Sequence, residues 1–417
     1  MRNITGQPRR RDDCRLCGGG DLDLVLRLTP TPPANAFLPA VDAGTTQACF
    51  PLEVYLCRAC GHVQLRDILD PEALFRDYIY VSGTSPAFVK HFDDYAADLI
   101  TRYRLPTMAP ILDIGSNDGT LLRAFQDRRY NVLGIEPASA IAEAARNSGV
   151  DTIIGFFNQE LAEKLLEQRG PVVLVTANNV FAHIDNLSDM LRGVRTLLTP
   201  GGLFVFEVSY LADVIEKGLF DTIYHEHLSY HAVRPLIPFL EAHGLELIEA
   251  LRVDSHGGSL RGVAKVRGAH WTPGASVEAR LAEEARLGLH EPATYRAFGE
   301  RIAARGEALR ALLRELKAKG KTIAGYGAPA KATTLLYHFG IGPQTLDFIV
   351  DDSPWKQGRL TPGHQIPVLP STALLERRPD YTLILAWNFA QPIVARQERY
   401  RAEGGQFIIP LPELMVV

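Results

Sequence analysis

Two groups of side chains in this 417-residue chain have the types and spacing to do chemistry. The first is four cysteines in two pairs, Cys14/Cys17 and Cys57/Cys60, each reading C-x-x-C-G (CRLCG and CRACG). A C-x-x-C turn followed by glycine lets two thiolates converge on one ion while backbone amides turn toward the sulfurs. Two such knuckles complete a tetrahedral all-sulfur zinc site, and four thiolates leave no open position, so the metal is structural. A redox C-x-x-C would occur once, near a strand-to-helix junction. The fifth cysteine, Cys49, is expected to be a small core residue. The second group lies in residues 220–231 (FDTIYHEHLSYH), where Tyr224, His225, Glu226 and His227 are consecutive. On a helix, positions three apart share a face, so Tyr224 and His227 could enter one cavity, with Glu226 orienting an imidazole from the side. The H-E-H triplet lacks the spacing of H-E-x-x-H, which argues against a zinc hydrolase. A solvated polar turn is the plain alternative. Histidine with a carboxylate and phenols suits removal of a proton next to a carbonyl and stabilisation of the enolate. These residues alone do not choose between His225 and His227 as the base.

The elements that must position these groups are legible from residue 110 onward. Residues 110–125 (PILDIGSNDGTLLRAF) read as an apolar strand, a glycine-containing turn and an amphipathic helix. Residues 132–138 (VLGIEPA) form a second strand ending in Glu136. Residues 172–180 (VVLVTANNV) and 202–210 (GLFVFEVSY) are buried strands, separated by an amphipathic helix and the turn TPGG. Strands alternating with helices predict a parallel, doubly wound sheet. In the first turn, Gly115 and Gly119 allow the backbone to approach a ligand. The spacing is not G-x-G-x-x-G, and Asp113 and Asp118 would repel a pyrophosphate but not a sulfonium. Glu136 is placed to accept two ribose hydroxyls. Together with the TPGG turn, this resembles the S-adenosylmethionine (SAM) site of class I methyltransferases, rather than a nicotinamide-binding domain. The predicted cofactor contacts are Asp113, Gly115, Asn117, Gly119 and Glu136, joined by Asn178 and Asn179 at the end of the fourth strand. His183 follows them near the reactive end.

Composition bounds the remaining possibilities. Lys plus Arg number 44 against 48 acidic residues, so the formal charge of −4 removes the bulk attraction on which non-specific nucleic-acid binding depends. The uncharged stretch at 170–184 falls short of the roughly 20 apolar residues that span a bilayer. The polar, basic N-terminus (MRNITGQPRRRDD) shows no signal peptide, and a cytoplasmic protein without membrane contact is expected. Between the knuckles, TPTPPANAFLP forbids a long helix, while LDLVLRL and FPLEVYLC read as strands of a small zinc-ribbon-like unit. Residues 321–339 (KTIAGYGAPAKATTLLYHF) are a further strand, turn and helix, with Lys331 in the first turns. Strands LDFIVDDS and YTLILAWNF follow. The expected fold is thus α/β in three units: a zinc module (1–70), a class I methyltransferase domain (71–252) and a second Rossmann-like domain (253–417). The charged helical segment at 275–319 is expected to be solvated or to bridge domains.

Over nearly its whole length the chain resembles the sugar C-methyltransferases of antibiotic biosynthesis, of the mycarose and tetronitrose type, which methylate a carbon of a nucleotide-linked 4-ketosugar. The resemblance rests on the four cysteines, Y-I-Y-V-S-G-T-S at 78–85, D-I-G-S-N-D-G-T-L-L at 113–122 and A-N-N-V-F-A-H-I at 177–184. It continues in Y-H-E-H at 224–227, H-G-G-S-L-R at 256–261, G-Y-G-A-P-A-K at 325–331, V-D-D-S-P-W-K-Q-G at 350–358 and L-A-W-N-F at 385–389. It implies that His227 is the general base, and that Tyr78, Tyr224, Glu226 and His183 hold the sugar and stabilise enolate charge. Ser82, Lys331 and Asn388 fall at substrate-binding positions, with Lys331 near the diphosphate of a dTDP-sugar. The implied protein is a monomer with SAM as cofactor and structural zinc, methylating C-3, or C-5 of a related sugar. A zinc-ribbon RNA methyltransferase is the rival reading, against which stand the net charge and the absence of a dense Lys/Arg stripe near the knuckles. A zinc-bearing scaffold on an inactive fold is the non-enzymatic one.

Overall fold

Three sheets of four or more strands organise the chain in the computed structural model, which describes residues 7–76, 78, 81–84, 86–255 and 257–417. Ile79, Tyr80 and Ser85 of the Y-I-Y-V-S-G-T-S stretch, and His256 of H-G-G-S-L-R, lie outside the described residues.

The largest sheet has seven strands. Pro110–Ile114 lies between Asn131–Glu136 and Val172–Asn178, parallel to both, and Thr152–Ile154 and Leu198–Ser209 extend the sheet on either side. The strand order therefore reverses at Pro110–Ile114, and a crevice opens beyond the carboxyl ends of the central strands. Helix Leu187–Leu197 covers the sheet with Leu187, Met190, Leu191, Val194 and Leu197, the three-and-four spacing of one helical face. TPGG behaves differently from a plain helix-to-strand turn. Pairing jumps from Val172–Leu198 to Leu174–Leu203, so residues 199–202 bulge out inside the strand. The sheet also runs past position 252, where the sequence reading ends this unit. Strand Ser259–Val266 pairs antiparallel with both Leu198–Ser209 and Leu245–Val253. Gly262 permits that pairing, because a Cβ there would stand 2.1 Å from the Phe206 ring.

The N-terminal module is a four-stranded antiparallel sheet in the order Ser229–Tyr230, Val63–Leu65, Phe50–Cys57, Leu22–Thr31. Its outer strand is thus borrowed from the segment just after Y-H-E-H. Each knuckle closes through a glycine in the left-handed region, Gly18 at φ 71° and Gly61 at φ 83°, whose amides donate to the Cys14 and Cys57 carbonyls. The sulfurs of Cys14 and Cys60 lie 3.6 Å apart and those of Cys17 and Cys57 3.5 Å, with all four within 4.8 Å of one another. Tetrahedral Zn–S bonds of about 2.3 Å require sulfurs roughly 3.8 Å apart, so the donor set fits zinc. Cys49, expected in the core, is exposed. It lies in the loop before Phe50–Cys57, with its thiol against the Tyr337 hydroxyl of helix Ala330–His338.

The third sheet has six strands in the order Val368–Leu369, Ile349–Val350, Ile323–Tyr326, Tyr381–Ile384, Gln406–Ile409, Met415–Val416, the first five parallel. It too reverses order at its first strand, as a Rossmann-like domain does. The N-terminal module clasps this domain: Leu38–Pro39 pairs with Arg359–Leu360, and Leu22–Thr31 packs on helices Pro292–Ala318 and Ala330–His338. The charged segment is therefore a bridge, burying Phe298, Ile302, Leu309 and Leu313. One hydrophobic core runs through all three units, from Leu52 and Phe204 to Ile349. Among the described residues no helix is long and apolar enough to cross a membrane.

Because the borrowed strand and both clasps depend on the zinc-bearing module, Cys57→Ser should lower zinc below one ion per chain by elemental analysis and lower the apparent Tm.

Candidate active site

The crevice of the central sheet becomes a cavity of about 880 Å³, walled by loops of all three units. At its cofactor end, the Glu136 carboxylate is buried; Oε2 accepts from the Asn117 amide at 2.9 Å and Oε1 from the Ala138 amide at 2.8 Å. Each oxygen keeps a lone pair, enough for two hydroxyl donors. Burial raises the Glu136 pKa, and the two amides oppose that rise. Asp113 accepts from the Thr176 hydroxyl at 2.6 Å, and burial pushes its carboxyl up to about 7. Gly115 is required by close approach, since a Cβ would stand 2.2 Å from Val180. Asn117 and Asn179 have positive φ (51° and 55°), a strained conformation concentrated at functional sites. The Asn117 side chain accepts from the Ser82 amide at 2.9 Å, tying that loop to the cofactor turn. Asp113, Gly115, Asn117, Glu136, Asn178, Asn179 and Ser82 all line the cavity. Gly119 does not; it caps helix Thr120–Gln126 from behind, against Val150.

At the other end, Tyr224–His227 is a turn rather than a helix. The His227 amide donates to the Tyr224 carbonyl, which still brings the two rings to 4.1 Å between centroids. His227 Nδ1 lies 2.7 Å from the Thr222 carbonyl. A carbonyl can only accept, so Nδ1 carries the proton and Nε2 is left with its lone pair. Burial lowers the His227 pKa to about 4, against the Thr222 carbonyl, so the ring is neutral near pH 7. His183 stacks on His227 at 5.0 Å and on Phe75 at 5.5 Å. Its Nε2 is buried with no hydrogen-bond partner among the described residues. His225 points elsewhere: its Nε2 lies 3.3 Å from the Phe50 carbonyl and its ring stands edge-on to Phe50. Glu226 is held by Asn35 Nδ2 at 2.8 Å and by the Tyr78 hydroxyl at 3.0 Å, and burial raises it to about 7.

The C-terminal domain contributes two lysines, Lys356 buried and Lys331 half-buried. Lys331 Nζ donates to Asn388 Oδ1 at 2.7 Å and stands 3.6 Å over the Trp387 ring. Trp387 Nε1 in turn donates to Asp221 at 2.6 Å. Burial lowers Lys331 to about 8, with Asp221 opposing. Lys356 donates to the Ala328 carbonyl at 2.9 Å and also lines the cavity.

Family models match as a zinc binding domain over residues 14–75, a methyltransferase domain over 88–250 and a C-methyltransferase C-terminal domain over 254–412. C-methyltransferase NovU of Streptomyces niveus is 36% identical over 409 residues, 97% of each chain. This chain belongs to the C-methyltransferase family. A ubiquinone biosynthesis O-methyltransferase of Colwellia psychrerythraea is 27% identical over 152 residues, 34% of this chain and 62% of that protein. The solved structure of magnesium protoporphyrin IX methyltransferase from Synechocystis, with bound SAM, is 14% identical, covering 48% of this chain and 99% of that one at a TM-score of 0.35.

The C-methyltransferase is an enzyme that uses SAM, and its four-cysteine site takes zinc. A carboxylate with two spare lone pairs beside polar amides suits a ribose and a cationic sulfonium. Several residues of this site have no role in the sequence reading. Asn35 sits in the proline-rich segment, and only its contact with Glu226 gives it one. Lys356 lies inside V-D-D-S-P-W-K-Q-G, so the motif marked the place without saying what it does. Asp221 and Thr222 precede Y-H-E-H, and Thr222 acts through its carbonyl, which no side-chain pattern can reveal.

Removing the Glu136 carboxylate leaves the Asn117 and Ala138 amides unpaired and takes away the carboxylate whose spare lone pairs suit a ribose. Glu136→Ala should weaken SAM binding by about 10- to 100-fold in calorimetric titration, at roughly 1.5–3 kcal/mol for a charge-assisted bond.

Proposed function

We propose that this enzyme removes the proton next to the keto group of a nucleotide-linked 4-ketodeoxysugar and methylates the resulting carbon, C-3, in branched-sugar biosynthesis. The observation that carries the reading is the neutral His227, with Nδ1 fixed as donor to Thr222 and Nε2 left basic in a cavity shared with the cofactor end. His227 Nε2 takes the proton from C-3, and the C–H electron pair becomes the enediolate. Tyr224, His183 and the protonated form of Glu226, which Tyr78 orients, stabilise the negative oxygen at C-4 by hydrogen bonding. Glu226 itself is positioned by Asn35, on a loop of the zinc module. SAM supplies the electrophilic methyl group to the enediolate carbon, leaving as S-adenosylhomocysteine. Asp113, Gly115, Asn117, Glu136, Asn178 and Asn179 hold the cofactor, with Gly119 turning the chain behind them. Ser82, Lys331 and Asn388 bind the sugar nucleotide, with Lys331 and the start of helix Ala330–His338 at the diphosphate. A half-buried lysine that keeps a proton near neutrality is a good partner for a phosphate oxygen.

The direct test incubates the enzyme in heavy water with a dTDP-4-keto-2,6-dideoxyhexose, with and without SAM. Exchange next to the ketone, and the mass gain of one methylene at C-3 when SAM is present, are the expected results. Methylation at C-5 would move the reacting carbon. Absence of both, with methyl transfer to RNA instead, would refute the sugar reading.

His227→Asn keeps size and polarity but cannot accept the proton. It should reduce kcat by at least about 10²–10⁴-fold, the scale of general-base catalysis, while SAM affinity is unchanged. Because burial holds the His227 pKa near 4, its ring should stay neutral as pH falls through 6.5 and take up a proton only toward 4, read by NMR titration of that ring, apart from any limb that Glu226, near 7, adds to kcat/KM. A ring titration at the ordinary imidazole value of roughly 6.5 would contradict this.

A further inference from the structure

Arg15 stands inside the first zinc knuckle, between Cys14 and Cys17, yet its guanidinium leaves the metal and runs into the protein. The side chain is wholly buried. Nε donates to Asp185 Oδ1 at 3.1 Å. Nη1 donates to the Leu65 carbonyl and, at 3.3 Å, to the Leu228 carbonyl. Those partners are not scattered. Leu228 is the residue after His227, and Asp185 lies two residues after His183. The same two segments also meet directly, since the Leu228 and Ser229 amides both donate to the Ala182 carbonyl. Leu65 belongs to the zinc-module strand on which Ser229–Tyr230 pairs, and its amide donates back to the Leu228 carbonyl at 3.0 Å. The backbone of Arg15 is fixed too, because its amide donates to Gln64 Oε1 at 2.9 Å.

From this arrangement we infer that Arg15 is a positioning residue that transmits the fixed geometry of the zinc knuckle to the stacked pair His183 and His227. The chemistry of the side chain fits the task. A guanidinium is a flat fork with five donors, able to serve a carboxylate and two carbonyls at once in a fixed plane. A lysine ammonium could keep the charge pairing with Asp185 but not that planar set. Asp185 holds further cations, Arg9 and Arg11, and so stays charged within the clamp. A buried cation demands such partners, and its partners are in turn held in place. The clamp thus orients the rings indirectly: Arg15 touches neither imidazole. A base held to within a fraction of an ångström of the substrate carbon loses on the order of 10²-fold in rate when displaced by about 1 Å.

The inference rests on the reading of His227 as base, so the test separates the two. Arg15→Met, Arg15→Lys and His227→Asn are compared with the wild type for zinc per chain, SAM affinity and exchange at a dTDP-4-keto-2,6-dideoxyhexose. The His227 ring resonance, assigned by its loss in His227→Asn, is titrated by NMR in each protein without any sugar. For Arg15→Met the expected results are full zinc, unchanged SAM affinity and a loss of exchange and of kcat on the order of 10²-fold, with KM little altered. Its His227 titration should move from near 4 toward the ordinary 6.5. Arg15→Lys should fall between the two, and it decides the matter if Arg15→Met does not fold. Unchanged kcat and an unchanged His227 titration in either folded variant would overturn the inference. So would a rate loss that simply follows zinc loss, which would make Arg15 part of the knuckle's own fold. Exchange retained in His227→Asn would overturn the base assignment instead, leaving the NMR result to judge Arg15.

Discussion

Two main-chain pairs, Val63 with Tyr230 and Gln64 with Ser229, join the zinc-bearing sheet to the turn that carries His227. Most of the active cavity depends on that short ladder. It fixes the turn from below, while the Thr222 carbonyl fixes the imbalance of protons on the His227 ring from within. A strand of two residues has little stability of its own; it exists because a metal-stiffened sheet offers it a ready edge. The zinc-bearing sheet therefore reaches the wall of the cavity by way of backbone register.

Burial is the second constraint. Glu226 is buried and His183, His227 and Lys331 are half-buried, and in each case burial is the largest influence on protonation. The effect runs in the useful direction for each group. Imidazoles stay neutral, a carboxyl is brought near pH 7, and a lysine becomes a weaker base that still holds its proton. No single unit could produce this, since Asn35 comes from the zinc module, Glu226 from the central domain and Lys356 from the C-terminal one. The cavity is a junction, and its electrostatics exist only when all three units are in place.

What could be read from the sequence was what is local in it. The knuckles with their left-handed glycines, the turn from Asp113 to Gly119 and the strand ending at Glu136 each lie within a few neighbouring residues. Tyr224 and His227 were legible as a pair for a reason independent of the element assumed, because any backbone closure between positions three apart brings them together, here a turn. The illegible parts are those created by tertiary register. Nothing near Arg15 announces Leu228, and nothing near Asn35 announces Glu226, almost two hundred positions away. The return strand Ser259–Val266 of the central sheet is not legible locally, because its pairing relies on Gly262 meeting Phe206 across the sheet.

The borrowed outer strand has a consequence for how the molecule is made. Synthesis proceeds from the N-terminus, so Phe50–Cys57 and Val63–Leu65 emerge long before Ser229–Tyr230. Throughout that interval the module presents an open sheet edge, the kind of surface that recruits stray strands from other chains. The two knuckles, by contrast, are complete by Cys60, so zinc bound there would hold the module's own strands together well before its outer strand arrives.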